Sequence, residues 1–141
     1  MKVRDVMTSR VETISPDATV EQASRKMRDS NVGILPVVQI RPETILGTIT
    51  DRDLVVRVLA VGRVPHLTTV REVMTPMPLW CYDDQTVTEV ARLLEKNLLR
   101  RALVLDRNEK LVGIFSISDL AVKVANEKIS GHVLSKISVA E

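Results

Sequence analysis

Residues 3–8 read VRDVMT, and nearly the same six letters return as VREVMT at residues 70–75. Similarity at a fixed spacing over a long stretch is typical of a duplicated structural unit. The chain therefore predicts one small fold written twice. The offset of 67 residues (70 − 3) continues through much of the chain, pairing Thr19 with Thr86 and Val37 with Val104 and then, at 66, Gly47 with Gly113 and Asp53 with Asp119.

Both copies give the same order of elements, β-α-β-β-α, from hydrophobic periodicity and turn residues. The predicted first strands are Val11–Ser15 and Leu79–Tyr82, and the first helices are Val20–Ser30 and Val87–Asn97. Hairpins follow, Ile34–Gln39 with Ile45–Thr50 and Ala102–Asp106 with Leu111–Ser116. The closing helices are Arg52–Val61 and Ser118–Lys128, with Gly62 and Gly131 behind them, where a C-cap glycine belongs.

The first helix of each copy has a clear start and a clear inner face. Thr19 with Gln22, and Thr86 with Glu89, fit a capping box, in which two side chains satisfy orphan backbone N–H groups. The predicted buried faces recur at helical spacing. They are Val20, Ala23 and Met27 in the first copy, and Val87, Val90, Ala91, Leu94 and Leu98 in the second.

The domain organisation follows from the size of the repeat. We predict an α+β fold with repeat 1 at residues 1–66, repeat 2 at 67–131 and a C-terminal tail at 132–141. A unit of about 60 residues buries a limited core and is marginal alone. We therefore expect the two copies to pack sheet to sheet with pseudo-two-fold symmetry.

Composition excludes several function classes. Apolar residues make up 45% of the chain, and a net charge of +2 is too small to predict nucleic-acid binding. Cys81, the single cysteine, cannot form an internal disulfide, and with His66 and His132 it lacks metal-ligand spacing. No nucleophile, base and orienting group can be named together. We expect a cytoplasmic protein that is not an enzyme and has no metal, no covalent cofactor and no membrane span.

The segment where the last strand meets the last helix carries the chemistry. Residues 47–53 read GTITDRD and residues 113–119 read GIFSISD, a glycine followed by a hydroxyl and then by an aspartate. One interpretation is a plain capping box that starts a helix. The other is a ligand site, in which free helix-start amides attract phosphate and the carboxylate accepts hydrogen bonds from a ribose diol. Such bonds contribute about 1.5–3 kcal/mol each. The glycine, which capping does not require, favours the second interpretation.

Taken together, these features resemble a tandem pair of CBS domains, also called a Bateman module. The duplicated unit, the openings Asp5-Val6-Met7-Thr8 and Glu72-Val73-Met74-Thr75, and the two glycine-to-aspartate segments carry the resemblance. It covers about residues 1–128. Residues 32–37, VGILPV, resemble the family's second strand.

The resemblance implies an adenine nucleotide as regulatory ligand: AMP, ADP, ATP or S-adenosylmethionine, bound in clefts between the repeats. The hydroxyl of each signature would face phosphate and the aspartate would hold ribose, while the segment before the first helix would line the base pocket through its backbone. It also implies a homodimer and a regulated partner protein. The residues so assigned to nucleotide binding are Thr13, Ile14, Gly47, Thr50, Arg52, Asp53, Trp80, Cys81, Gly113, Ser116 and Asp119.

The two copies differ at the corner, so their sites are not expected to be equivalent. Asp51-Arg52 becomes Ile117-Ser118, and Arg100-Arg101 replaces Gly33-Ile34. Arg52 could add positive charge near a phosphate, which favours the Thr50/Asp53 site. The leading function is an energy- or metabolite-sensing module. The alternatives are a structural dimerisation module without ligand and a nucleic-acid-associated regulator.

Overall fold

The computed structural model describes residues 1–76 and 78–123 of the chain. They form two compact units, one of Glu12–Pro78 and one that joins Met1–Val11 to the chain from Leu79 onward. We call these the first-repeat unit and the second-repeat unit. Each contains a three-stranded sheet and helices, so the mixed α+β class is confirmed. The tail at 132–141, Gly131 and the end of the last predicted helix lie outside the described residues.

The first-repeat unit is built around one hairpin and one long helix. Helix α1 spans Val20–Ser30, strand β1 spans Ile34–Ile40 and strand β2 spans Glu43–Thr50. Helix α2, Asp51–Leu54, continues as a π-helical turn, Val55–Leu59, and a 3-10 turn follows at Pro65–Leu67. Helix α3, Val70–Val73, leads into strand β3, Thr75–Pro76, which pairs antiparallel with β2.

The second-repeat unit repeats this plan with a better-formed first strand. A 3-10 turn covers Val3–Asp5, and strand β4, Trp80–Tyr82, runs parallel to β5, Arg101–Leu105. Helix α4 spans Val87–Asn97, strand β6 spans Leu111–Ser116 and helix α5 spans Ile117–Lys123. Strands β5 and β6 form the antiparallel hairpin that the sequence predicts.

The two long helices confirm the sequence prediction at both ends. Thr19 and Gln22 cap α1 reciprocally, and Thr86 and Glu89 cap α4, with hydrogen bonds of 2.9–3.2 Å. The predicted faces are buried except at Leu98, which is 54% exposed. Leu98 has a φ of 53° and forms the left-handed cap that Asn31 forms in the first copy, so it turns away from the face that α4 buries.

The predicted first strand at Val11–Ser15 is wrong. Only Ile14 pairs there, in an isolated parallel bridge with Val37. In the second copy Asp83 extends the ladder by donating its N–H to the Leu105 carbonyl at 2.9 Å. The Leu103 N–H donates likewise to Leu79, on the other side of the strand. Pro16 and Pro36 stand 67 residues before Asp83 and Leu103 and have no N–H to donate, so pairing is lost on both sides of Ile14.

The helix predicted at Arg52–Val61 forms, but it begins at Asp51 and changes character at Val55. The π-helical turn over Val55–Leu59 is closed by a 2.8 Å bond from the Ala60 N–H to the Val55 carbonyl. Three valines fall in this turn, and β-branched side chains crowd a regular α-helix. Gly62 follows with a φ of 74°, which confirms its predicted place behind the helix.

The compact units do not coincide with the sequence repeats, because each opening segment packs with the other copy. Residues 3–8, the first opening segment, contribute Val3 and Val6 to the core of the second-repeat unit. Residues 70–75, the second opening segment, contribute Val70 and Val73 to the core of the first-repeat unit. These are the same core positions at an offset of 67. The described core of each repeat is therefore completed by residues from the other.

Candidate functional site

Thr50 and Asp53 form a reciprocal cap at the corner where β2 becomes α2. The Asp53 N–H donates to Thr50 Oγ1 at 3.1 Å, and the Thr50 N–H donates to Asp53 Oδ2 at 2.9 Å. The Asp53 side chain is only 12% exposed. The capping interpretation is therefore confirmed as a structural role of this pair, and any ligand must use the atoms that capping leaves over.

The expectation of free helix-start amides is wrong at this corner. The Asp51 N–H donates to the Gly33 carbonyl at 2.9 Å, and the Arg52 N–H donates to Asp51 Oδ1 at 2.9 Å. With the two amides of the Thr50–Asp53 cap, all four consecutive N–H groups have acceptors. A phosphate here would depend on side-chain donors, since the backbone offers it none at these four positions.

Three side-chain groups of the first corner stay available for a ligand. Within residues 1–76 and 78–123, no acceptor engages the Thr50 hydroxyl proton, because that oxygen only accepts the Asp53 N–H. The Arg52 side chain is exposed at the same corner. Asp53 Oδ1 does not take part in the cap and lies 3.8 Å from Arg57 Nε. Together they supply a neutral donor, an exposed cation and a carboxylate oxygen.

The predicted base-lining residues of the first copy lie in the same unit. Ile14 bonds to β1 through its backbone, donating to the Pro36 carbonyl at 3.0 Å and accepting from the Val38 N–H at 2.9 Å. The Thr13 carbonyl accepts from Lys26 Nζ. Ile14, Val37 and Gly47 lie side by side across the sheet. About three residues of strand, near 10 Å, separate this row from Thr50.

The second corner has the same cap but a different hydroxyl environment. The Ser116 N–H donates to Asp119 Oδ2 at 2.8 Å, and the Asp119 N–H donates to Ser116 Oγ at 3.4 Å. Ser116 Oγ also lies 3.1 Å from Asp119 Oδ2 and 2.7 Å from Ser118 Oγ. The single proton of Ser116 thus has acceptors inside the corner. Asp119 is 7% exposed.

Trp80 and Cys81 lie on β4 with very different surroundings. Cys81 is fully buried in the core, and burial raises the pKa of its thiol to about 12. Its side chain faces away from solvent, so only its backbone could line a site. Trp80 is 45% exposed and contacts Tyr82 edge to face, with ring centroids 5.1 Å apart. Tyr82 in turn carries the Arg107 guanidinium 3.9 Å over its ring.

The cluster behind Trp80 was not identified from the sequence. Arg107 makes a bidentate ion pair with Asp84, both distances 2.8 Å, which lowers the pKa of that carboxyl. The Tyr82 hydroxyl donates to Glu109 at 2.9 Å, and this bond raises the pKa of the phenol. The cluster joins the end of β4 to the β5–β6 turn and holds the Tyr82 ring against Trp80. Its partners are separated by 23 and 27 residues, so no local pattern could reveal it.

The signature glycines have a structural explanation that differs from the expected one. A Cβ at Gly47 would lie 2.2 Å from the Thr75 carbonyl oxygen, and one at Gly113 would lie 2.5 Å from Met7 Sδ and 2.9 Å from the Thr8 oxygen. Both glycines therefore make room for an opening segment that pairs antiparallel with the glycine's own strand. The presence of glycine is not, in this structure, an argument for a ligand.

The described residues offer neither a metal-binding group nor a membrane-spanning helix. Over the described parts of the chain, no three or more His, Cys, Asp or Glu side chains gather into a group that could bind a metal ion. None of the helices described is both long enough and apolar enough to cross a membrane.

Comparison with known proteins gives the family. The sequence matches the CBS domain family twice, over residues 3–60 and 70–126. The uncharacterized protein YlbB of Bacillus subtilis is 37% identical over 137 residues, which is 97% of this chain and 91% of that protein. CBS-domain proteins are generally regulatory rather than catalytic.

Solved structures agree. The conserved CBS domain protein TA0289 of Thermoplasma acidophilum superposes with a TM-score of 0.81 at 25% identity, covering 96% of this chain and 75% of that one. CBSX2, crystallised in complex with AMP, gives a TM-score of 0.73 at 28% identity, covering 90% and 98%. The duplicated sequence, the two corners and these matches lead to one conclusion: the chain belongs to the CBS-domain family, as a tandem pair.

Proposed function

We propose that this protein is a regulatory module that binds an adenine nucleotide, or a related adenosyl ligand, at the Thr50/Asp53 corner of the first repeat. Occupancy of that corner would report the level of the ligand to a partner protein. The family assignment and the AMP complex of CBSX2 support the ligand class. Because CBSX2 was crystallised with AMP, adenine nucleotides are the first ligands to test.

The single observation that carries the choice of corner is the unused proton of the Thr50 hydroxyl. A hydroxyl that accepts the Asp53 N–H can still donate to a phosphate oxygen. Arg52 would add a charge-assisted contact from its exposed side chain. Asp53 Oδ1 would accept from the ribose hydroxyls, because Oδ2 is taken by the Thr50 N–H.

The remaining predicted residues have supporting roles in the proposal. The backbone around Thr13 and Ile14 would face the base at the first corner. At the second corner, Trp80 could stack against a base, while Cys81 would contribute only main-chain atoms. Gly47 and Gly113 would act indirectly, by admitting the opening segments that complete each unit. A homodimer remains part of the proposal, with the ligand acting on its stability.

A second candidate function has its own support. Both corners are closed caps, and four consecutive amides of the first corner are satisfied by groups of the protein itself. A structural module that joins two copies of the chain would need nothing more. In that case the corners would serve only to start helices.

Calorimetric titration with AMP, ADP, ATP, S-adenosylmethionine and adenosine separates the two functions. The sensing function predicts saturable binding of at least one of AMP, ADP, ATP and S-adenosylmethionine, weaker binding of adenosine, and a rise in melting temperature. Ligand at 100 times its Kd stabilises the folded state by about 2.7 kcal/mol. Failure of every ligand to bind or to raise the melting temperature at millimolar concentration would leave the structural function.

A further inference from the structure

Arg57 contacts two parts of the first-repeat unit that are distant in sequence. Its Nη1 donates to the carbonyl oxygens of Val73 at 3.0 Å and Met74 at 3.1 Å, at the end of α3. Its Nε lies 3.8 Å from Asp53 Oδ1, one turn earlier in its own helical segment. One guanidinium therefore joins the proposed ribose-binding carboxylate to the second opening segment.

The contact with the opening segment answers a need of α3. This helix has only four residues, and the last carbonyl groups of a helix have no partner within it. Met74 leaves the helix for an extended conformation, with a ψ of 159°, so the chain cannot satisfy these carbonyls by continuing. Arg57 supplies the missing donor from outside.

The contact with Asp53 is complementary to the cap. Asp53 Oδ2 accepts the Thr50 N–H, which leaves Oδ1 facing Arg57 and the proposed ligand. The Asp53 side chain is 12% exposed and the Arg57 side chain 47% exposed, so the acid is the more deeply buried partner. A planar guanidinium can direct different N–H groups to an acid and to carbonyls at once, which an ammonium group cannot do in the same geometry.

We propose that Arg57 is a positioning residue: it orients Asp53 for the ligand and so couples occupancy of the first corner to the docking of the second opening segment. The inference rests on the proposed function, because it needs a ligand at Asp53. A ligand that holds Asp53 would hold Arg57 and, through it, the end of α3. By thermodynamic linkage, the factor by which the ligand favours docking of α3 is also the factor by which docking of α3 raises the affinity for the ligand.

A double-mutant cycle with Arg57→Met and Asp53→Asn tests the coupling. We expect Arg57→Met to lower the affinity for AMP and for adenosine by about tenfold each. In a protein that already carries Asp53→Asn, the same substitution should change either affinity by less than about twofold. Arg63→Met is the matched control, since Arg63 also pairs with the opening segment, 4.0 Å from Glu72, without contacting Asp53. It should leave both affinities within about twofold of the wild type.

Three results would overturn the inference. An undiminished effect of Arg57→Met in the Asp53→Asn background would show that Arg57 does not act through Asp53. An effect on AMP but not on adenosine would place Arg57 on the phosphate. Wild-type protein that binds none of the adenine ligands would remove the proposed function, and the inference with it.

Hydrogen exchange gives a readout that does not depend on Arg57→Met folding. The Val70 and Arg71 amides bond to the Ala18 and Pro16 carbonyls at 2.8 and 3.0 Å and so report the docking of the opening segment. AMP should slow their exchange several-fold in the wild type and much less in Arg57→Lys. Equal protection in both proteins would contradict the coupling.

Discussion

The two strand-to-helix corners share a motif but differ in the chemistry they leave available. Thr50 and Ser116 cap their helices in the same way, with Asp53 and Asp119 three residues later. The Ser116 hydroxyl has acceptors in its own corner, whereas among the described residues the Thr50 hydroxyl proton meets none. Motif identity thus establishes the cap in both copies, while in our proposal the neighbouring residues decide which copy receives a ligand.

The neighbours differ in the two positions between hydroxyl and aspartate. Asp51 and Arg52 are exposed in the first copy. In the second, Ile117 belongs to the core and Ser118 bonds to Ser116. The two positions after the capping hydroxyl are therefore exposed to solvent in the first repeat, whereas in the second repeat one is packed in the core and the other bonds to the cap.

The largest expected difference between the repeats is in the reactivity of a thiol at two matching positions, Cys81 and Ile14. Cys81 is buried with a pKa of about 12, whereas Ile14, at the matching position, is half-buried. At pH 8 we expect a soluble disulfide reagent to label Cys81 about a thousandfold more slowly than an exposed thiol, since the thiolate is the reacting species. The rate should rise about tenfold per pH unit while the protein stays folded.

The control is Ile14→Cys in a Cys81→Ser background, which we expect to react within about tenfold of an exposed thiol. Rapid labelling of Cys81 in the folded wild type would contradict its place in the core. It would also remove this difference between the repeats.

Substitution of Gly47 and of Gly113 by alanine should destabilise the protein to different extents. Gly47→Ala drives a methyl group against the Thr75 backbone, which cannot move aside without displacing β3. Gly113→Ala meets Met7, whose side chain can rotate, and the Thr8 backbone oxygen at 2.9 Å, a milder backbone clash than the 2.2 Å at Gly47. We expect losses in the free energy of unfolding of about 3 kcal/mol and about 1 kcal/mol respectively, measured by urea denaturation.

Gly33→Ala is the matched control, because its new methyl group would meet the end of the exposed Asp51 side chain. It should cost less than about 1 kcal/mol. A larger loss of unfolding free energy in Gly113→Ala than in Gly47→Ala would contradict the closer approach of the opening segment to the strand in the first-repeat unit.

The smallest expected effect is a gain of binding at the second corner. Ser118→Arg removes the hydroxyl that bonds to Ser116 and places a cation where Arg52 stands in the first copy. In an Asp53→Asn background we expect AMP affinity to rise about threefold to tenfold. Ser118→Ala, which adds no charge, is the control. An unchanged affinity in Ser118→Arg would mean that these neighbours do not decide which corner binds.

Local chemistry explains what the sequence predicts well. The capping boxes at Thr19 and Thr86 and the apolar spacing behind them determine both ends of α1 and α4. The hairpins follow from short apolar runs joined by turns. The Thr69–Glu72 cap of α3 has the same pattern and could have been identified in the same way.

The features that escaped prediction depend on residues far apart in the chain. Hydrophobic periodicity shows that Val70 and Val73 are buried, but not that they are buried against the first repeat. The contacts of Arg57 span 16 and 17 residues, and the close approach behind Gly47 involves Thr75. The missing first strand has a cause that the sequence itself contains: Pro16 and Pro36 lack the two N–H groups that extend the strand pairing in the second copy.

The most direct test compares AMP affinity in the wild type, Asp53→Asn and Asp119→Asn by calorimetry. Asparagine can still accept the capping N–H, so both variants keep their helix starts while losing one negative charge. The account predicts about tenfold or greater loss of affinity in Asp53→Asn and less than about twofold in Asp119→Asn. Equal losses in the two variants, or a larger loss in Asp119→Asn, would contradict it.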